Sequence, residues 1–150
     1  EQGKLTESEY FALFFRDGRD VDGTGLRQAL KNAYRWLEGM EQLLGDLYTA
    51  GYEMHALSNY SIWYEMIEQK LSVSRFVKWS FVSCNTGFRK PDLRAYEHAL
   101  STLGIAPADC VFIDDRAENI EAACALGIDA IQQIDAAELR QQFRKRDLLR

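Results

Sequence analysis

At 150 residues the chain has the length of one domain built around a single core. Hydrophobic residues make up 47% and charged residues 27%, the balance of an ordinary globular chain and not of a disordered one. A net charge of −5 removes any electrostatic reason to expect a nucleic-acid partner, and no apolar run approaches the ~20 residues of a membrane span.

The chain starts at Glu1 without an initiator Met, so it is expected to be part of something longer. Residues 6 to 16, "TESEYFALFFR", open with a capping box, Thr6 with Glu9, and continue with an apolar helical face of Tyr10, Phe11, Phe14 and Phe15. "DGRDVDGTG" is a glycine-rich loop. Thr24 is a candidate cap for the next helix, whose apolar positions Leu26, Leu30, Ala33, Tyr34 and Leu37 keep helical spacing. A third helix, "EQLLGDLYTAG", closes at Gly51.

The pattern then changes. "YEMHAL", "VKWSFVSC", "CVFIDD" and "DAIQQI" read as short strands. Between and after them, "IWYEMIEQKL", "DLRAYEHALSTLG", "ENIEAACALG" and the charged tail read as helices. Strands alternating with helices imply an α/β fold, a Rossmann-like doubly wound parallel sheet buried on both faces. Cys84, Cys110 and Cys124 lack metal-site spacing and suit reduced thiols in a cytosol-like, cytoplasmic setting. His55 and His98 are expected as strand or helix residues, not catalysts.

In parallel sheets chemistry gathers at the carboxyl ends of strands. Three such ends carry suitable groups. Ser58-Asn59 offers a hydroxyl and an amide at a turn into a helix, where phosphate oxygens can be bound; alone, it is equally a plain cap. In "GFRKPD", Pro91 suits the first turn of a helix and leaves Lys90 at the strand-end face to neutralise phosphate. In "VFIDDRAEN", an apolar run delivers Asp114 and Asp115, and Asn119 follows within the helix. Adjacent carboxylates repel and lose hydration, a problem that a hard cation such as Mg²⁺ relieves and that a double cap on the next helix would also explain.

The order and spacing of "ALSN", "FRKPD" and "VFIDDRAENIEAACALGI" resemble the haloacid dehalogenase-like (HAD) hydrolase superfamily, over about residues 36 to 134. The resemblance implies a phosphatase in which a nucleophilic Asp forms an aspartyl-phosphate and a second Asp, two residues on, serves as acid and base. It implies that Ser58 and the Asn59 backbone hold phosphate, that Lys90 is catalytic, and that Asp115 binds Mg²⁺, with Asp114 beside it as a ligand or oriented by it. "DVDGTG", residues 20 to 25, spells the nucleophile signature, but "RDGR" before Asp20 cannot be a buried central strand.

The loop is therefore expected to belong to the family's small cap. Residues 1–37 form a helical cap segment, and residues 38–150 a Rossmann-like core lacking its first strand. The nucleophile would then lie upstream and this chain alone would be inactive. "SNYSIWYEMIEQKL" with "SCNTGFRKPD" resembles the plant and cyanobacterial branch that includes flavin mononucleotide (FMN) hydrolases, which implies a small phosphorylated metabolite as partner and makes a plastid location possible. Tyr60, Trp63 and Tyr64 could stack on a flat ring. The competing class is a non-catalytic phosphate-binding or protein-interaction module that kept the fold without the nucleophile.

Overall fold

A computed structural model describes residues 1–149; Arg150, the last residue of the expected core span, lies outside them. Helix α1 (Glu7–Ala12) starts as the capping box requires: the Thr6 hydroxyl accepts from Glu9 N at 3.3 Å, and the Glu9 carboxylate accepts from Thr6 N at 2.7 Å. Helix α2 (Gly23–Ala33) is capped by Asp22, whose carboxylate accepts from Gly25 N at 2.9 Å. That corrects the expectation for Thr24: a carboxylate next to the helix's positive end outcompetes a hydroxyl inside it. The helix also stops short of Leu37. At Tyr34 the backbone turns extended, with ψ at 129°, and Leu37 is exposed.

Helix α3 (Met40–Thr49) buries Leu43 and Leu47 and is followed by Gly51 at φ 91°. Strand β1 (His55–Ser58) leads to α4 (Tyr64–Leu71), and β2 (Lys78–Val82) to the single turn α5 (Ser83–Thr86). Helix α6 (Leu93–Leu103) precedes β3 (Val111–Asp114), α7 (Ala117–Ala125), β4 (Asp129–Gln132) and α8 (Ala136–Lys145). Asp92 caps α6, so Pro91 stands before the helix and not in its first turn. His55 lies on β1 and His98 on α6, and the three cysteines are free.

All strand pairing is parallel, but the strands form two ribbons and not one sheet. β1 pairs with β2, Ser58 opposite Val82; β3 pairs with β4, Asp114 opposite Gln132. Among the described residues no ladder joins β1 to β3. Packing joins them instead. Leu57 of β1 and Phe112 of β3 both rest on the cluster of Ala95, Tyr96, Ala123 and Ile128. A second cluster, Leu43, Leu47, Ile131, Leu139 and Phe143, brings α3 and α8 together over β4. Each fully buried Leu or Phe there contributes roughly 1.5–3 kcal/mol. The expectation of strands buried on both faces holds only in part, because Ile113 of β3 is exposed.

Candidate active site

The carboxyl ends of β1 and β3 meet through Lys90. Its Nζ lies 2.5 Å from Asp114 Oδ2, and both side chains are nearly buried, 10% and 6% exposed. The loop that carries Lys90 is fixed to the end of β1: Lys90 N donates to Asn59 Oδ1 and Asn59 Nδ2 donates to Lys90 O, each at 2.8 Å. Asn59 thus pairs with the backbone as a neighbouring strand would, at the point where the ladder has ended. Ser58, the last residue of β1, stands next to this clamp and has no hydrogen-bonded side-chain partner among the described residues.

Asp114 is held on its other oxygen too. Oδ1 accepts from Arg116 N at 2.9 Å and from Asn119 Nδ2 at 2.8 Å. Asn119 is itself buried, and its carbonyl takes the Tyr96 hydroxyl at 2.9 Å. Burial pushes the Asp114 carboxyl up, but the bonds from Lys90, Asn119 and the Arg116 amide outweigh it and hold the group below the usual carboxylate range. The Asn119 clamp was visible in the sequence only as an amide five residues past the aspartate; its aim at Oδ1 depends on the strand-to-helix turn.

The two adjacent aspartates therefore part company. Asp114 points inward, whereas Asp115 is exposed, its carboxylate without a partner among the described residues and its carbonyl accepting from Gln132 Nε2 at 3.0 Å. Mg²⁺ commonly takes one or two carboxylates and completes its octahedron with water and phosphate oxygens. Asp115 fits that role. Asp114 fits it poorly, since Oδ1 already accepts two N–H bonds and a cation on Oδ2 would sit against the Lys90 ammonium. No group of three or more His, Cys, Asp or Glu close enough to form a metal cage exists among the described residues.

Asp20 and Asp22 take no part in this cluster. Both are exposed, no strand precedes them, and Asp22 is occupied as the α2 cap. Of the three aromatics near the Ser58 loop, Tyr60 and Trp63 line a cavity, while Tyr64 packs on Trp79 at 5.1 Å. The Tyr60 hydroxyl meets that of Tyr34, 2.8 Å away, a pairing over 26 residues that sequence spacing gives no signal for.

A family profile for haloacid dehalogenase-like hydrolases matches residues 18–127. The chain is 43% identical over 131 residues to flavin mononucleotide hydrolase 1 of Arabidopsis thaliana, named as chloroplast-located; the match covers 87% of this chain and 54% of that protein. It is 42% identical over 65 residues to the sesquiterpene phosphatase astK of Aspergillus oryzae, across 41% of this chain and 33% of that one. The chain thus spans about half, or less, of the length of these curated relatives.

In fold it is similar to a HAD-like hydrolase of Porphyromonas gingivalis, with TM-score 0.76 at 20% identity over 96% of this chain and 76% of that one. A HAD family enzyme of Bacteroides thetaiotaomicron, crystallised with magnesium and inorganic phosphate, aligns with TM-score 0.71 at 21% identity over 89% of this chain and 72% of that one. Fold and profile agree: the chain belongs to the haloacid dehalogenase-like hydrolase family.

Proposed function

We propose that the whole protein is a Mg²⁺-dependent phosphomonoester hydrolase, acting through an aspartyl-phosphate on FMN or a similar small phosphorylated metabolite. The observation that carries this reading is the buried Lys90–Asp114 pair, held at 2.5 Å where the two ribbons meet. An ammonium fixed there serves a dianionic phosphate, and Asp114 is the positioning residue that keeps it aimed. The Ser58 hydroxyl and the Asn59 backbone bind the phosphoryl oxygens beside it. Asp115 holds Mg²⁺, which when bound neutralises phosphoryl charge.

The nucleophilic aspartate comes from a segment outside this chain that adds between β1 and β3. Two findings support that: the two ribbons share no ladder among the described residues, and the Arabidopsis relative is nearly twice as long as the matched region. Residues 1–37 act as a cap segment over residues 38–150, and a plastid location follows the name of that relative.

Hydrolysis of p-nitrophenyl phosphate by this chain and by the full-length protein tests the proposal. Turnover is expected only in the full-length form with Mg²⁺. Turnover by the chain alone that disappears on Asp20→Asn would make "DVDGTG" the nucleophile loop after all. The second reading, a non-catalytic phosphate-binding or protein-interaction module, predicts phosphate binding without turnover in both forms.

A further inference from the structure

Tyr96 of α6 is 1% exposed, the largest of the fully buried side chains among the described residues. A phenylalanine would fill nearly the same space, whereas a buried hydroxyl has to find a partner. The Tyr96 O–H donates to the Asn119 carbonyl of α7 at 2.9 Å. Burial, then the negative charges of Asp114 and Glu118, push the phenol above its ordinary value, so it stays a donor. That bond closes a ring. The Asn119 amide holds Asp114 Oδ1 at 2.8 Å, Asp114 Oδ2 lies 2.5 Å from the Lys90 ammonium, and the chain returns from Lys90 to Tyr96 in six residues.

The Tyr96 ring adds a second constraint. It meets Phe112 of β3 edge to face, with centroids 5.3 Å apart and planes at 81°, and the Lys90 ammonium stands 5.4 Å from the Phe112 centroid. Asp114 takes one N–H of that ammonium, and the other two have no bonded partner among the described residues. A lysine stem is flexible, and its donors are otherwise spread over many directions. Here the carboxylate and the ring face fix the nitrogen, and Tyr96 holds both of them.

We propose that Tyr96 is a positioning residue: through its hydroxyl on Asn119 and its ring on Phe112, it aims the two remaining N–H groups of Lys90 at phosphoryl oxygens. The proposal deepens the hydrolase reading and rests on it for phosphate beside Lys90. Tyr96→Phe keeps the ring and removes the O–H, and Phe112→Leu removes the face beside Lys90. In the full-length protein with p-nitrophenyl phosphate, each should lower kcat about 10-fold and leave KM within about twofold, because a misaimed ammonium loses most at the transition state. Leu139→Val, in the separate cluster over β4, controls for lost stability alone: Tm should fall and kcat should hold. Lys90→Met supplies the decisive background, in which adding Tyr96→Phe should change kcat by less than about twofold. A parent-like kcat in either variant, an equal kcat loss in Leu139→Val, or a Tyr96→Phe loss that persists in Lys90→Met overturns the proposal. If no phosphomonoester is turned over, the hydrolase reading falls by itself, and binding of inorganic phosphate in calorimetric titration carries the same comparison. A loss of affinity of about 5–10-fold on Tyr96→Phe, absent in Lys90→Met, then supports the positioning role. Equal affinity in parent and Tyr96→Phe, or no phosphate binding by the parent, overturns it.

Discussion

Replacing Lys90 with Met keeps most of the side-chain stem and removes the ammonium from Asp114. The carboxylate is 6% exposed and retains two of its three donors, Arg116 N and Asn119 Nδ2. Stripping the partner from a buried ion pair costs about 3–5 kcal/mol. The two surviving bonds offset part of that, so Lys90→Met should lose about 2–3 kcal/mol at pH 7, or about 5–10 °C in Tm. The pH dependence has a definite sign. In the parent, Asp114 titrates below its usual range, so its contribution is complete above the unfolded carboxyl value of about 3.9 and disappears as pH falls through the lower folded value.

In the variant, burial acts against weaker opposition and the carboxyl rises. Protonation can then relieve the stranded charge, so the loss relative to the parent should shrink between pH 7 and about pH 4.5. Urea denaturation followed by circular dichroism at both pH values measures it. A loss under about 0.5 kcal/mol at pH 7, or an equal loss at both pH values, would refute the view of Lys90 as the counter-charge of a buried carboxylate.

Two further outcomes follow from the same geometry. Asp22→Ala removes the α2 cap and should cost about 0.5–2 kcal/mol in chemical denaturation, whereas Asp20→Ala, at an exposed residue with no hydrogen-bonded partner among the described residues, should cost almost nothing; equal costs would mean that the loop has another role. Asp115→Asn in the full-length protein should weaken Mg²⁺ binding in calorimetric titration at least about 10-fold while leaving Tm unchanged, because Asp115 is exposed and its carboxylate has no partner among the described residues; unchanged Mg²⁺ affinity would remove it from the metal site.

Element types were legible where one local rule decided them. The capping box at Thr6 and Glu9, the glycines after α3 and α6, and the apolar runs of β1 and β3 all read directly from residue order. The cap of α2 was legible too, since an aspartate two residues before Thr24 is the stronger competitor. Strand alternation could even have separated the two aspartates: Ile113 is out, Asp114 in and Asp115 out. What local order could not supply were relations across the chain. The Asn59–Lys90 clamp spans 31 residues and the Tyr34–Tyr60 pair 26, and both depend on where loops land once the ribbons have packed. The division of the sheet was likewise invisible, because a strand's apolar character says that it is buried and not which strand lies beside it.

That division has a physical consequence for handling the chain. Among the described residues, β1 and β3 each present one row of amides and carbonyls with no strand paired opposite. Such rows are adhesive templates for any extended segment, and charge or proline is the usual guard against them. Neither the four residues of β1 nor those of β3 include Lys or Pro, and the one charge on them, Asp114, is neutralised by its pair with Lys90. Concentrated preparations should therefore self-associate through these edges, and deuterium should enter their amides first. A segment that docks as the missing rung should suppress both effects together.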